Sequence, residues 1–162
     1  HDVAVPGCVV LDVSMPGLDG LEIQRMLTAA SGYHRPIVFV TGKGDIPTSV
    51  RAMKAGAVDF LTKPVKDQDL REAVSRAEAR DAESRRLHSE IESMQAKVSK
   101  LTPREREVLT HVVAGRLNKQ IAGDLGTVEQ TIKVHRSRMM EQLGIRTVAD
   151  LVRMAEKLNL SR

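Results

Sequence analysis

Three short apolar runs, CVVLD at 8–12, IVFVT at 37–41 and AVDFLTK at 57–63, alternate with amphipathic segments at 18–30 and 46–55. Strand-like runs separated by helical periodicity predict βαβ units and a parallel sheet with right-handed crossovers. From 65 to 101 there is no Gly or Pro. Val74, Ala77, Leu87, Ile91, Met94, Val98 and Leu101 recur there at three- and four-residue steps, with a weaker register between 78 and 86. The spacing predicts a long amphipathic helix, roughly 50 Å if continuous over 67–100. Its mixed charges, Glu78, Arg80, Asp81, Arg85 and Arg86, suit a solvated flank of either a lone spacer helix or a dimerising coil.

Four shorter helices are predicted after it. Thr102, Pro103 and Glu105 make a capped start, Val108, Leu109, Val112 and Val113 a buried side, and Gly115 a stop. Asn118 opens a short helix holding Ile121, Ala122 and Leu125, and Gly126 turns the chain. Thr127 with Gln130 reads as a capping box for a longer helix that Gly144 ends. Thr147 with Asp150 opens a last helix whose Val148, Leu151, Val152, Ala155 and Leu158 face inward or toward a partner. A short helix, a glycine turn and a longer helix in this order predict a helix-turn-helix, with the second helix in the DNA groove.

The face of that second helix supports the same expectation. Val128, Ile132, His135, Met139 and Leu143 form one stripe, the core-facing side, and His135 reads as a packed core residue rather than a base reader. Gln130, Lys133, Val134, Ser137 and Glu141 lie opposite, flanked by Arg136 and Arg138. Base edges offer donors, acceptors and the thymine methyl between two rims of phosphate, which such a face matches. The plainer alternative is a surface helix with solvated charges.

Charge distribution favours the groove reading. Residues 1–77 hold nine Lys/Arg against nine Asp/Glu, 78–100 five against five, and 101–162 eleven against seven, so the whole +4 falls in the last third. A local basic excess on helices points to a polyanion. Tyr33, Phe39 and Phe60 are all early, which leaves the basic region no ring for base stacking and argues for duplex over single strands or RNA. No apolar run approaches the roughly 20 residues of a membrane span. The single Cys8 excludes an internal disulfide and fits a reducing, cytoplasmic compartment. His1, His34, His88, His111 and His135 lack zinc-ligand spacing.

In a parallel sheet a ligand sits beyond the carboxyl ends of the strands. Asp12, Thr41 and Lys63 close the three runs there. Each alone reads as a strand-terminal polar residue. Together, a carboxylate could take a phosphoryl group whose oxygens the hydroxyl and ammonium hold.

LDVSMPGLDG around Asp12, VTGKGD around Thr41 and FLTKP around Lys63 resemble the receiver domain of two-component response regulators. The run from Thr41 through GDIP, with AMKAGAVDF after it, looks most like the FixJ subgroup. LTPREREVL, NKQIAGDLG, TIKVH and QLGIRTVADLV are similar to the LuxR-type DNA-binding domain over 101 to about 158. The resemblance implies Asp12 as phospho-acceptor, Thr41 and Phe60 as switch residues, Lys63 as the phosphate-pairing lysine, and a cis Lys63–Pro64 bond. It implies base contacts from Lys133 and Val134. Gln130 and Ser137 share their face, and Lys119, Thr127, Arg136 and Arg138 are candidates for phosphates.

The expected fold is thus a partial flavodoxin-like α/β receiver at 1–77, a helical linker at 78–100, and an all-α four-helix helix-turn-helix domain at 101–162. The family's acidic pair, which holds Mg²⁺ with the phospho-acceptor, would precede this chain, along with the first two strands and first helix. Asp12 and Ser14 alone would be an incomplete site for the ion. A fragment that is poorly stable, exposes an unpaired strand and takes no phosphate from a small donor is the expectation. The expected function is that of a DNA-binding transcriptional response regulator, not an enzyme. Its implied partners are promoter DNA, a sensor histidine kinase, a second copy when activated and, further, RNA polymerase. One alternative is a DNA-binding regulator with a non-phosphorylatable receiver scaffold. A remote one is an aspartate-nucleophile phosphohydrolase, but that chemistry needs a second carboxylate two residues on as general acid, and Ser14 stands there instead.

Overall fold

The computed structural model describes residues 5–15, 17–29, 34–42 and 46–160, with the Leu18 side chain left out. His1, Ala30, Tyr33 and the Lys43–Asp45 part of the Thr41 motif lie outside the described residues. The chain divides into two compact units, His1–His88 and Ser89–Arg162.

In the first unit β1 (Val9–Asp12), β4 (Ile37–Thr41) and β5 (Asp59–Thr62) form a parallel sheet in the order β1-β4-β5. Val9 pairs with Ile37 and Asp12 with Val40, while Val38 pairs with Asp59 and Thr41 with Thr62. The central strand is buried on both faces, as its unbroken apolar run requires. Ile37 and Phe39 lie in one cluster with Leu21 of α1 (Gly20–Ala29) and Ala52 of α2 (Ile46–Lys54). Val38 meets Ala73 and Ala77 of α3 (Asp67–Ser99) on the other.

Three expectations are corrected here. The first amphipathic segment begins its helix at Gly20, because Ser14–Met15 (β2) and Leu18–Asp19 (β3) form a small antiparallel hairpin before it. Asp19 Oδ1 then accepts from the Leu21 N–H at 2.9 Å and caps the helix. The third run starts its strand at Asp59 and not at Ala57, with the Val58 N–H bonding Ile37 O at 2.7 Å just before it. Asp81 is not part of a solvated flank. It is fully buried, one helical step beyond Ala73 and Ala77, and accepts from Gly7 N–H at 3.1 Å and Arg85 Nε at 2.9 Å.

The second unit holds α4 (Pro103–Val113), α5 (Asn118–Asp124), α6 (Glu129–Leu143), α7 (Val148–Lys157) and the last turns of α3. Val108, Leu109, Val112, Ile121, Ile132, Met139, Leu143, Leu151 and Met154 form its core, with Met94 and Val98 of α3 packed against it. The end of α3 is held there by polar contacts too. Lys97 Nζ donates to Leu143 O at 3.3 Å, Gln142 Nε2 donates to Lys100 O at 3.0 Å, and Lys157 Nζ meets Glu90 at 2.7 Å. Lys97 thereby reaches an orphan carbonyl at the negative end of α6.

The cap of α4 follows the sequence: Thr102 Oγ1 accepts from Glu105 N–H at 3.3 Å, and Glu105 Oε2 accepts from Thr102 N–H at 2.9 Å. Thr147 caps α7 by accepting from Asp150 N–H at 3.1 Å. The cap of α6 does not follow it. Val128 is the N-cap, without a side-chain bond, and the Thr127 N–H that a Gln130 side chain would have bonded goes to Ala122 O at 2.9 Å, closing α5. Val128 consequently turns outward at 66% exposure instead of joining the core stripe. Gly144 ends α6 at φ 71°, where a side chain would be strained.

Candidate functional site

The second unit presents α6 as an outward-reading element. Ile132, Met139 and Leu143 are buried beneath it, and His135 is half-buried on the same side. Gln130, Lys133, Val134 and Ser137 are exposed on the far side, as is Arg138. The helix is fixed from its flanks. Arg136 Nη1 donates to Asn118 Oδ1 at 2.9 Å, tying α6 to the start of α5. Arg104 Nη2 donates to Leu125 O at 2.7 Å, tying α4 to the turn. Arg116 bonds Asp124 at 2.5 Å at the end of α5. Lys119 is exposed and Thr127 half-buried, on either side of the same turn. Lys133 Nζ lies 3.1 Å from Glu129 Oε1. Arg104 and Glu129 were not singled out from sequence, and Asn118 only as the start of the short helix. Only the Glu129–Lys133 spacing of four was a readable signal.

In the first unit the register brings the three strand ends level. Asp12 stands beside Val40, Thr41 beside Thr62, and Lys63 follows directly, its N–H bonded to Thr41 O at 2.8 Å. Lys63 Nζ meets Asp12 Oδ2 at 2.7 Å and the Ser14 N–H donates to Asp12 Oδ1 at 3.0 Å. These bonds, the lysine first, hold the Asp12 carboxyl below its ordinary range. Thr41 is fully buried, and the Phe60 ring lies 6.1 Å from that of Phe39. The Lys63–Pro64 bond is cis. Gly20 serves the site in a way the sequence reading missed. A Cβ there would stand 2.4 Å from Asp12 O, so only glycine lets α1 start against the Asp12 backbone.

A Mg²⁺ ion takes six oxygen ligands in an octahedron, one or two of them carboxylates and several of them waters. Among the described residues no three His, Cys, Asp or Glu side chains gather to hold one. Asp12 and Ser14 do not make up that donor set, and the Asp12 carboxylate is engaged by Lys63. Among the described residues, Asp12 and Ser14 by themselves are an incomplete site for Mg²⁺.

An aspartate, a threonine and a lysine at level strand ends, joined in one chain to an outward-reading helix-turn-helix, define a receiver coupled to a DNA-binding domain. Residues 1–75 match the response regulator receiver domain, and residues 99–155 match the bacterial regulatory proteins of the luxR family. The chain belongs to the NarL/FixJ-type response regulators: it is a two-component, DNA-binding transcriptional regulator rather than an enzyme. It is 46% identical over 157 residues to nodulation protein W of Bradyrhizobium diazoefficiens, covering 97% of this chain and 69% of that protein. To the transcriptional regulatory protein FixJ of Azorhizobium caulinodans it is 41% identical over 157 residues, 95% of this chain and 74% of the other. Among solved structures, the response regulator StyR is similar at a TM-score of 0.74 and 46% identity, over 97% of this chain and 79% of that one. Among the described residues no helix is long and apolar enough to cross a membrane.

Proposed function

We propose that α6 reads a promoter half-site in the major groove and that the receiver governs when it does so. The observation that carries this reading is the exposed row Gln130, Lys133, Val134 and Ser137, backed by a buried row of Ile132, Met139 and Leu143. Lys133 supplies a donor to guanine O6 or N7, Val134 contacts a thymine methyl, Gln130 suits adenine, and Ser137 serves either kind of partner. Lys119, Thr127, Arg136 and Arg138 contact phosphates and set the register. Arg136 does so with its remaining N–H groups, since Nη1 is held by Asn118.

Asp12 is the phospho-acceptor position, with Lys63 as its counter-charge and Thr41 and Phe60 as the groups that respond. Where the receiver's cation site is complete, a sensor histidine kinase is the donor, a second copy the partner in the activated state, and RNA polymerase a further partner at the promoter, all in the cytoplasm. Two copies engaging adjacent half-sites would supply most of the gain in affinity. A second reading, a receiver that regulates without being phosphorylated, is favoured by the Lys63–Asp12 bond and by the lack of gathered carboxylates among the described residues.

The test is Lys133→Ala on a duplex enriched from a random library by the chain itself. The expected cost is about 1–3 kcal/mol, with relaxed preference at one base position. Equal loss on every sequence removes Lys133 as a reader.

A further inference from the structure

Glu129 is the acidic residue in the first turn of α6, the end of a recognition helix that contacts base edges. Its carboxylate lies 3.1 Å from the Lys133 ammonium, and both side chains are about half exposed (44% and 54%). An exposed pair four residues apart contributes only about 0.3–0.5 kcal/mol to a helix, so it yields readily to a better partner. The two residues share one face, so Lys133 cannot reach a groove without carrying the carboxylate in with it.

On an arbitrary duplex that arrangement is unfavourable. Lys133 gives up Glu129 for one phosphate, and the carboxylate is pressed toward a polyanion with its own partner gone. At a matching site both groups are satisfied. Lys133 takes guanine acceptors while the carboxylate accepts from the N4 amino group of a nearby cytosine, the one base edge offering it a major-groove donor without an adjacent acceptor of its own. A buried acceptor left without a donor is costly, which converts the absence of that cytosine into discrimination.

We propose that Glu129 is a specificity-determining residue: it accepts from a cytosine amino group beside the base read by Lys133, and it penalises duplexes that lack one. The inference rests on the reading of α6 given above. A helix-dipole role for Glu129 would instead change affinity equally on all sequences.

The experiment compares the 162-residue chain with Glu129→Gln and Glu156→Gln, which remove the same formal charge from the recognition helix and from an exposed position on α7. Each is titrated onto the duplex that the unsubstituted chain enriches from a random library and onto a scrambled duplex of identical composition. For Glu129→Gln the specific-to-scrambled affinity ratio is expected to fall on the order of tenfold, the discrimination of a single base contact. Its salt slope on scrambled DNA should steepen by about 0.9 as Lys133 is freed for a phosphate. The enriched motif should lose cytosine at one position. Glu156→Gln should keep the original ratio. An unchanged ratio for Glu129→Gln, an equal loss on both duplexes, or the same effect from Glu156→Gln overturns the proposal while leaving the groove reading intact. Failure of the unsubstituted chain to enrich any duplex overturns both.

Discussion

Removing Asp81 should loosen the receiver sheet while leaving the DNA-binding unit untouched. The carboxylate is fully buried on α3 and accepts from the Gly7 backbone N–H at 3.1 Å, anchoring the segment that leads into β1. Arg85, 2.9 Å away, has a side chain 27% exposed, so that guanidinium can turn to water when the acid is lost. The Arg85 share is therefore close to a surface value, roughly 0–1 kcal/mol. The Gly7 N–H is part-buried, and its bond to a charged acceptor contributes about 1.5–3 kcal/mol. Asp81→Ala is accordingly expected to cost about 2 kcal/mol, a factor of about 30 in an equilibrium constant. With two units in the chain a global melt would blend their transitions. Amide hydrogen exchange separates them. Protection of the Val9–Asp12 and Ile37–Thr41 amides should fall by about that factor, with α5 and α6 unchanged. Asp81→Asn keeps an acceptor for Gly7 and should lose less. Unchanged protection in β1 for Asp81→Ala, or equal losses for the two substitutions, would refute the reasoning.

The α4 cap gives a pH-dependent expectation. Glu105 is held below the usual carboxylate range by the Thr102 N–H first and the Thr102 hydroxyl next. Its contribution is present above the ordinary carboxylate pKa and is lost as pH falls through the lowered one. Glu105→Gln should cost about 1 kcal/mol near neutrality and flatten the acid side of the second unit's stability profile. Helical circular dichroism melts from pH 3 to 7 check this, and an unaltered acid dependence contradicts it. Arg138→Ala should weaken binding to all duplexes alike and reduce the salt slope by about 0.9; an unchanged slope removes its phosphate role. Incubated with acetyl phosphate and Mg²⁺, the 162-residue chain should acquire no acid-labile label, because Lys63 holds the Asp12 carboxylate and the described residues gather no cation ligands. A labelled Asp12 would contradict that.

Features whose cause is local were legible before any coordinates. The Thr102–Glu105 and Thr147–Asp150 caps and the left-handed Gly144 depend on residues within one or two turns, and all are present. The β4 run maps onto its strand end to end because both faces are buried and every residue in it is apolar or terminal. What escaped reading depends on distant partners. Thr127 has the right neighbours for a cap, but Ala122 O claims its N–H. Asp81 resembles a solvent charge until Gly7, 74 residues earlier, supplies its donor. The Met15–Leu18 hairpin is too short to carry an alternating pattern. Likewise, Arg136 reads as a free cation until α5 brings Asn118 beside it. The site was legible as a list of exposed residues on one helix face, and its supporting bonds were not, because they cross between helices.

The central claim is that the α6 face reads duplex sequence. It is tested most directly by letting the 162-residue chain, and its Lys133→Ala/Val134→Ala variant, select from a random double-stranded library. The unsubstituted chain should enrich a motif repeated at two adjacent half-sites, with the variant losing base preference at the positions those two side chains contact. No enrichment by the unsubstituted chain, or the same motif from both proteins, would contradict it.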